Sequence, residues 1–182
     1  GFLFVASAAS IIMFMLFMPS YLQHYTHLSV PKSYLVVTAG MAMSVIFLPL
    51  FGMLSDKVGR RWLLMAASFL QIVGMVPLFY LLHGHHVWAP WAFIVIYEIL
   101  ISAMAACYPP MLADLFPTAV RYTGVGICYN VTYALAAFVP MLATLVLHHF
   151  NNPMAVAWLL AVFGALSFVA TVLFNPLRSA KQ

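Results

Sequence analysis

The chain has ten charged side chains among 182 residues, so the places where charge occurs are the places where chemistry can be sought. Glu98 is the only charged residue well inside a long apolar run. An ionisable group at that depth is costly and marks function by default, and a carboxyl group held away from water is a candidate proton carrier. Ser102 follows one helical turn later on the same face, whereas Tyr97 is adjacent in sequence but points elsewhere. The structural alternative is a hydrogen bond from Glu98 to a neighbouring helix. Glu98 is also only about two turns from the end of its run, within reach of water. Further on, Tyr129 and Tyr133 stand a turn apart, with Asn130 and Thr132 between them. These offer donors and acceptors to a polar solute, and aromatic faces can stack on a quaternary ammonium group. The same residue types also serve as interhelical hydrogen bonds.

The densest charge lies in Gly52-Met53-Leu54-Ser55-Asp56-Lys57-Val58-Gly59-Arg60-Arg61, between two apolar runs. Four of the ten charges (Asp56, Lys57, Arg60, Arg61) sit there. Gly52 and Gly59 permit close backbone approach and a tight turn. The seven histidines cluster elsewhere, at His24, His27, His83, His85, His86, His148 and His149. Each group follows an odd-numbered apolar run, at a helix C-terminus, where a polar and sometimes cationic ring suits the negative end of the dipole. A pH-sensitive or metal-binding face is the sharper alternative. The segment His83-Gly84-His85-His86 could bind a transition metal weakly, but its spacing is not specific, and no metal site is assigned.

These groups must be positioned by helices in lipid. The chain is 66% hydrophobic and 5% charged, against about 25% charged in a soluble domain. A membrane barrel would alternate apolar and polar residues. The runs here are continuous and about twenty residues long, the length of a spanning helix. They predict an all-α membrane protein with spans over about 2–22, 33–54, 62–82, 90–112, 122–147 and 154–175, joined by short loops. Gly1 runs straight into apolar sequence, so the chain reads as part of a longer one. No basic region or small-residue cleavage site marks a signal peptide. Cys107 and Cys128 fall inside spans, share no CxxC spacing, and read as buried packing. Pro19, Pro49, Pro77, Pro109, Pro110 and Pro140 lie in or near span ends, where they permit kinks.

Lys57, Arg60, Arg61, Arg121, Arg178 and Lys181 share one side of the six-span arrangement, and only Lys32 falls on the other. The positive-inside rule places that side, and both termini of this segment, in the cytoplasm. The predicted location is the cell's inner membrane, multi-pass. Topology alone explains the three bases of the 52–61 loop; it does not explain Asp56. Span five begins on the same side, and the positive end of its dipole could dock a carboxylate. With Arg60, Arg61, Arg121 and Asp114 in the same layer, the cluster could act as a two-state latch.

The 52–61 segment fits Gly-x-x-x-Asp-(Arg/Lys)-x-Gly-(Arg/Lys)-(Arg/Lys) at every defined position, and it resembles the signature loop of the major facilitator superfamily of transporters. A second segment runs Asp114-Leu115-Phe116-Pro117-Thr118-Ala119-Val120-Arg121-Tyr122-Thr123-Gly124-Val125-Gly126, followed by Tyr129-Asn130. It is similar to the loop before the eleventh helix of the metabolite:proton symporter family, whose members carry proline and betaine, shikimate, α-ketoglutarate and citrate. That family usually has Glu where Asp114 stands and often a base where Ala119 stands. Met18-Pro19-Ser20-Tyr21-Leu22 is similar to the seventh helix of the proline/betaine members.

The resemblance implies that this chain is the C-terminal half, helices seven to twelve, of a twelve-helix major facilitator fold, itself a 3+3 inverted repeat. It implies a secondary active transporter: proton-coupled symport of a small polar or anionic metabolite by alternating access, with no enzymatic chemistry and no cofactor. Ser10, Thr38, Glu98, Ser102, Tyr129, Asn130 and Tyr133 become candidates for lining the cavity or carrying the proton. The expected partners are the metabolite, the proton, the lipid bilayer and an N-terminal six-helix half, with no nucleic acid. The alternatives are a non-transporting sensor or scaffold subunit that is transporter-like, and a dimer of two such halves. Proline, betaine and organic acids all fit as cargo.

Overall fold

A computed structural model describes residues 5–26, 28–84, 88–150 and 152–173. His27, His85, His86, Arg178 and Lys181 lie outside the described residues. Among those described there are six helices long and apolar enough to cross a membrane, and no strands. We number them α1 (Ala6–Tyr25), α2 (Val30–Val58), α3 (Arg60–Leu82), α4 (Ala89–Ala113), α5 (Arg121–Phe150) and α6 (Ala155–Leu173).

Two helices are wound irregularly, and proline explains both. In α1 the five residues Met13–Phe17 form a π-helical turn just before Pro19, and the Met18 N–H reaches back to the Met13 carbonyl. Pro19 has no N–H, and its ring crowds the carbonyl four residues earlier, so the turn before it widens. α5 breaks into Arg121–Ala136 and Val139–Phe150 ahead of Pro140.

α1 and α4 are the centre of the bundle. In their most apolar stretches 67% and 61% of residues are buried, against 17% in α2 and 22% in α5. Without a hydrophobic drive between helices in lipid, close backbone approach and polar clasps must hold them together. Both are present. A Cβ on Gly40 would lie 2.8 Å from Ile94 Cγ1, so glycine is what lets α2 sit against α4. A buried polar network ties α1, α3 and α6. Ser7 and Ser68 each meet the Ser167 hydroxyl, at 2.9 and 3.0 Å. The Gln71 amide donates to Ser10 Oγ at 2.7 Å and to the Leu160 carbonyl at 3.0 Å. Bonds of this kind within a membrane contribute about 0.6–2 kcal/mol each. An aromatic stack of Phe14, Tyr97 and Phe93 fills the middle, with centroids 5.2 and 5.5 Å apart.

The stretch expected as a loop at 52–61 is almost entirely helical. α2 continues to Val58, α3 starts at Arg60, and the whole reversal is made at Gly59, whose φ is +99°. Only glycine adopts that backbone without strain. Gly52 makes no turn: it lies within α2, and a Cβ there would meet nothing within 4 Å.

Candidate functional site

The residues singled out by sequence fall into three separate places. The first is the end of the bundle where α2 turns into α3. Arg60 is its hub. One guanidinium nitrogen, Nη2, pairs with Asp56 Oδ1 at 3.2 Å, and Nη1 pairs with Asp114 Oδ2 at 3.3 Å. Asp56 and Arg60 sit four residues apart across the Gly59 reversal, and Asp114 comes from the end of α4. All three side chains are exposed, where single ion pairs contribute about 0–1 kcal/mol each.

The other bases of this end do different work. Arg61 donates from Nη2 to the Val172 carbonyl at 2.9 Å, capping the C-terminal turn of α6, while its Nε is buried without a partner. Arg121 donates from Nε to the Phe116 carbonyl at 3.3 Å. Lys57 is exposed. The expected docking of Asp56 on the start of span five is therefore replaced by the Asp56–Arg60–Asp114 relay, and neither Arg61 nor Arg121 forms an ion pair among the described residues. The cause is geometric: the single-residue turn puts Arg60 directly over Asp56. The Phe116–Gly124 pair completes this end. A Cβ on Gly124 would come within 2.5 Å of the Phe116 ring, so the glycine provides the seat for the phenyl.

The second place is in the middle of the bundle. Glu98 is 3% exposed, and the Ser44 hydroxyl donates to its Oε1. Its Oε2 is buried without a partner, as is the Ser102 hydroxyl one turn on. All three polar side chains line one cavity of about 250 Å³, otherwise apolar, between α1, α2 and α4. Phe14 and Met15, from the π-helical turn, form its α1 wall. π-turns recur at functional sites. A carboxyl with one oxygen held and the other buried without a partner has a lone pair free to take a proton.

The third place is nearer the Arg60 end. Tyr129 and Tyr133 of α5 lie 4.5 Å apart between ring centroids, and Tyr108 of α4 stacks on Tyr129 at 5.9 Å and 21°. Tyr108 is ten residues past Glu98 on the same helix, about 15 Å along its axis, so these rings and the carboxyl form two separate groups. Asn130 turns back to its own helix, donating to the Gly126 carbonyl at 2.8 Å. Ser10 is buried in the α1–α3–α4 packing, accepting from Gln71 at Oγ and from the Tyr97 hydroxyl at its carbonyl. Thr38 is exposed on α2 and lines none of these places. Ser44 and Tyr108 were not singled out by sequence. Tyr108 had a signal, as a polar aromatic inside an apolar run; Ser44 had none.

The sequence model of the Major Facilitator Superfamily matches residues 1–182. The chain belongs to that superfamily. It is similar to the proline/betaine transporter of Escherichia coli (strain K12), at 26% identity over 98% of this chain and 37% of that protein. It is also similar to the glycine betaine/proline/ectoine/pipecolic acid transporter of Dickeya dadantii, 26% identical over 98% of this chain and 36% of the relative. The ectoine/proline transporter of Corynebacterium glutamicum is 28% identical over 91% of this chain and 33% of its own length. The chain thus spans about a third of the length of the curated relatives it matches. No solved structure matches it significantly. Its six apolar helices form one half of a major facilitator fold, a multi-pass membrane transporter architecture rather than an enzyme.

Proposed function

We propose that this chain is the C-terminal half, helices seven to twelve, of an inner-membrane symporter of the metabolite:proton family, moving a small polar metabolite with a proton by alternating access. The observation that carries the proposal is Glu98, a buried carboxyl beside a cavity of about 250 Å³, with one oxygen bonded to Ser44 and the other buried without a partner. Retaining an ionisable group there has a cost in lipid that packing alone does not require. The relatives' names supply the substrate class: proline, betaine and ectoine, small solutes with a carboxylate. The Tyr108–Tyr129–Tyr133 rings can receive an alkylated ammonium group by its attraction to aromatic faces. The Asp56–Arg60–Asp114 relay is the latch of the cytoplasmic side. It ties the α2–α3 turn to the end of α4, and its exposed pairs are weak enough to open during each cycle. α2 and α5, the least enclosed helices, are the faces that the N-terminal half covers.

The test is uptake of labelled glycine betaine and proline into liposomes holding the full-length protein, with and without an imposed inward proton gradient. Accumulation that follows the gradient supports the reading. Binding without gradient-driven accumulation sinks the symport step.

A further inference from the structure

A serine or threonine inside a helix has a ready partner in the carbonyl four residues earlier. Ser10, Thr26, Ser33, Thr144 and Thr171 all donate to it, at 2.6–3.4 Å. Ser102 does not. Its hydroxyl is buried with no partner, and so is Oε2 of Glu98, the residue four positions before it. Side chains at this spacing are neighbours on one helix face, and both line the same cavity of about 250 Å³. Buried polar atoms without partners are few in folded proteins, and each calls for an explanation. Two of them on one cavity point to a guest that satisfies both.

We propose that Glu98 Oε2 and the Ser102 hydroxyl oxygen are ligands of a small monovalent cation, Na⁺, which competes with the proton for Glu98. The inference rests on the ionisable role given to Glu98 above. Hard cations take oxygen ligands, and this pair supplies one charged oxygen and one neutral oxygen. The need for a cation comes from the surroundings. Apart from Glu98, Ser44 and Ser102, every side chain lining the cavity is apolar, from α1 as from α2 and α4. Tyr97, next to Glu98 in sequence, is engaged elsewhere, donating to the Ser10 carbonyl at 3.1 Å. No lysine, arginine or histidine lines the cavity. An ionised Glu98 thus has no base of this half to neutralise it, and at that depth a charge must be matched. A proton or one monovalent cation matches a single carboxylate; a divalent ion would leave a net charge in apolar surroundings. Few ligands and a small chamber favour Na⁺ over the larger K⁺.

The carboxylate is held before any ion arrives, because the Ser44 hydroxyl donates to Oε1 and leaves Oε2 as the free ligand. Both free oxygens are buried against water, and a dehydrated Na⁺ is smaller than a water molecule. The rim of the cavity is accessible: Met15 and Leu48, which also line it, are 46% and 38% exposed. The remaining coordination positions fall to waters in the chamber, which is several times the volume of about 30 Å³ that one water takes. Binding exchanges one ion for one proton: the protonated Glu98 and Na⁺ give the Na⁺ carboxylate and a proton released to solvent. Acid therefore expels the ion.

Equilibrium dialysis of radioactive Na⁺ against the full-length protein in detergent, with ionic strength held by potassium chloride, reads the site without requiring transport. The expected result is saturable binding that weakens as the pH falls, is lost in Glu98→Gln, and is weaker by about tenfold or more in Ser102→Ala. Adding sodium chloride to weakly buffered wild type should release a proton, and the same amount of potassium chloride should not. Na⁺ should also raise the thermal unfolding midpoint of the wild type and not that of Glu98→Gln; the midpoints in potassium chloride alone show that each variant is folded. Absence of saturable Na⁺ binding by the wild type, or binding as strong in Ser102→Ala or Glu98→Gln, overturns the proposal. Na⁺ binding of the expected kind with no uptake driven by a proton gradient would leave the cation site standing and remove the proton-symport reading. Proton-driven uptake with no Na⁺ binding would do the reverse.

Discussion

Arg60 and Glu98 are the two charged centres of this half-bundle, and they are opposites. Arg60 sits in water between two exposed carboxylates, each contact replaceable by solvent. Glu98 sits in apolar surroundings with a serine on one oxygen and nothing on the other. An exposed relay has low energy and low barriers, which suits a contact that must break and re-form in every cycle. A buried carboxyl is expensive to leave charged, so its occupancy by a proton can be linked to where the rest of the bundle settles. Under the proposed function, position in the dielectric would divide the labour, with Arg60 latching and Glu98 coupling.

The sharpest way to break this division is Glu98→Gln, which keeps the Ser44 contact and removes the titration. Gradient-driven accumulation should fall by roughly 5–150-fold, the range of a typical coupling free energy between two sites. Exchange of labelled for unlabelled solute with no gradient should persist. Loss of both activities, or of neither, would remove Glu98 from the coupling role.

Glu98 was legible because a charge inside an apolar run has few structural excuses. Its partner was not. Ser44 is one of many hydroxyl residues in the spans and meets Glu98 only because α2 packs on α4 through Gly40, fifty-four positions away in sequence. Ser10 and Thr38 looked equally polar on paper, yet one fell into a buried clasp and the other on an open face. At the other centre, the motif at 52–61 and its four-residue Asp56–Arg60 spacing were visible, but the reversal, left to about residues 55–61 between the expected spans, is made at Gly59 alone. Helix continuation through Asp56 depends on a positive φ at Gly59, a choice of backbone that residue types permit without announcing. The second bridge, from Arg60 to Asp114, again joins positions fifty-four apart, and no local pattern signals it.

The next perturbation acts on packing at the Arg60 end. Gly124→Ala places a methyl group against the Phe116 ring, 2.5 Å from its nearest carbon. Overpacking of this kind costs about 1–3 kcal/mol, read as earlier thermal unfolding of the detergent-solubilised protein. Adding Phe116→Leu should restore most of the loss. A fully stable single variant would mean that the phenyl seat does not hold this end together.

A smaller effect is expected at the latch. Asp56→Asn leaves the Arg60–Asp114 pair in place and removes one exposed pair, about 1 kcal/mol or less. The turnover rate should fall about fivefold at equal protein in the membrane. Exposed pairs are screened by salt, so the difference from wild type should shrink between 0.05 and 0.5 M salt, on the order of a Debye length falling from above to below 10 Å. The Glu98→Gln deficit should be indifferent to the same change. Equal salt sensitivity at both sites would abolish the contrast between them.

The smallest effect separates two neighbouring arginines. Arg61 ends on the Val172 carbonyl and also carries a buried, unpartnered Nε. Arg61→Gln gives up the first and relieves the second, and losing a hydrogen bond and removing an unsatisfied donor act in opposite directions at about 1 kcal/mol each. Stability should therefore change by less than about 1 kcal/mol, with turnover per molecule unchanged. Arg60→Gln, one position earlier, leaves both Asp56 and Asp114 without their shared cation and should slow turnover more than Asp56→Asn does. If Arg61→Gln slows transport as much as Arg60→Gln, then the cap on α6 moves with the latch, and the charged end of the bundle acts as one body.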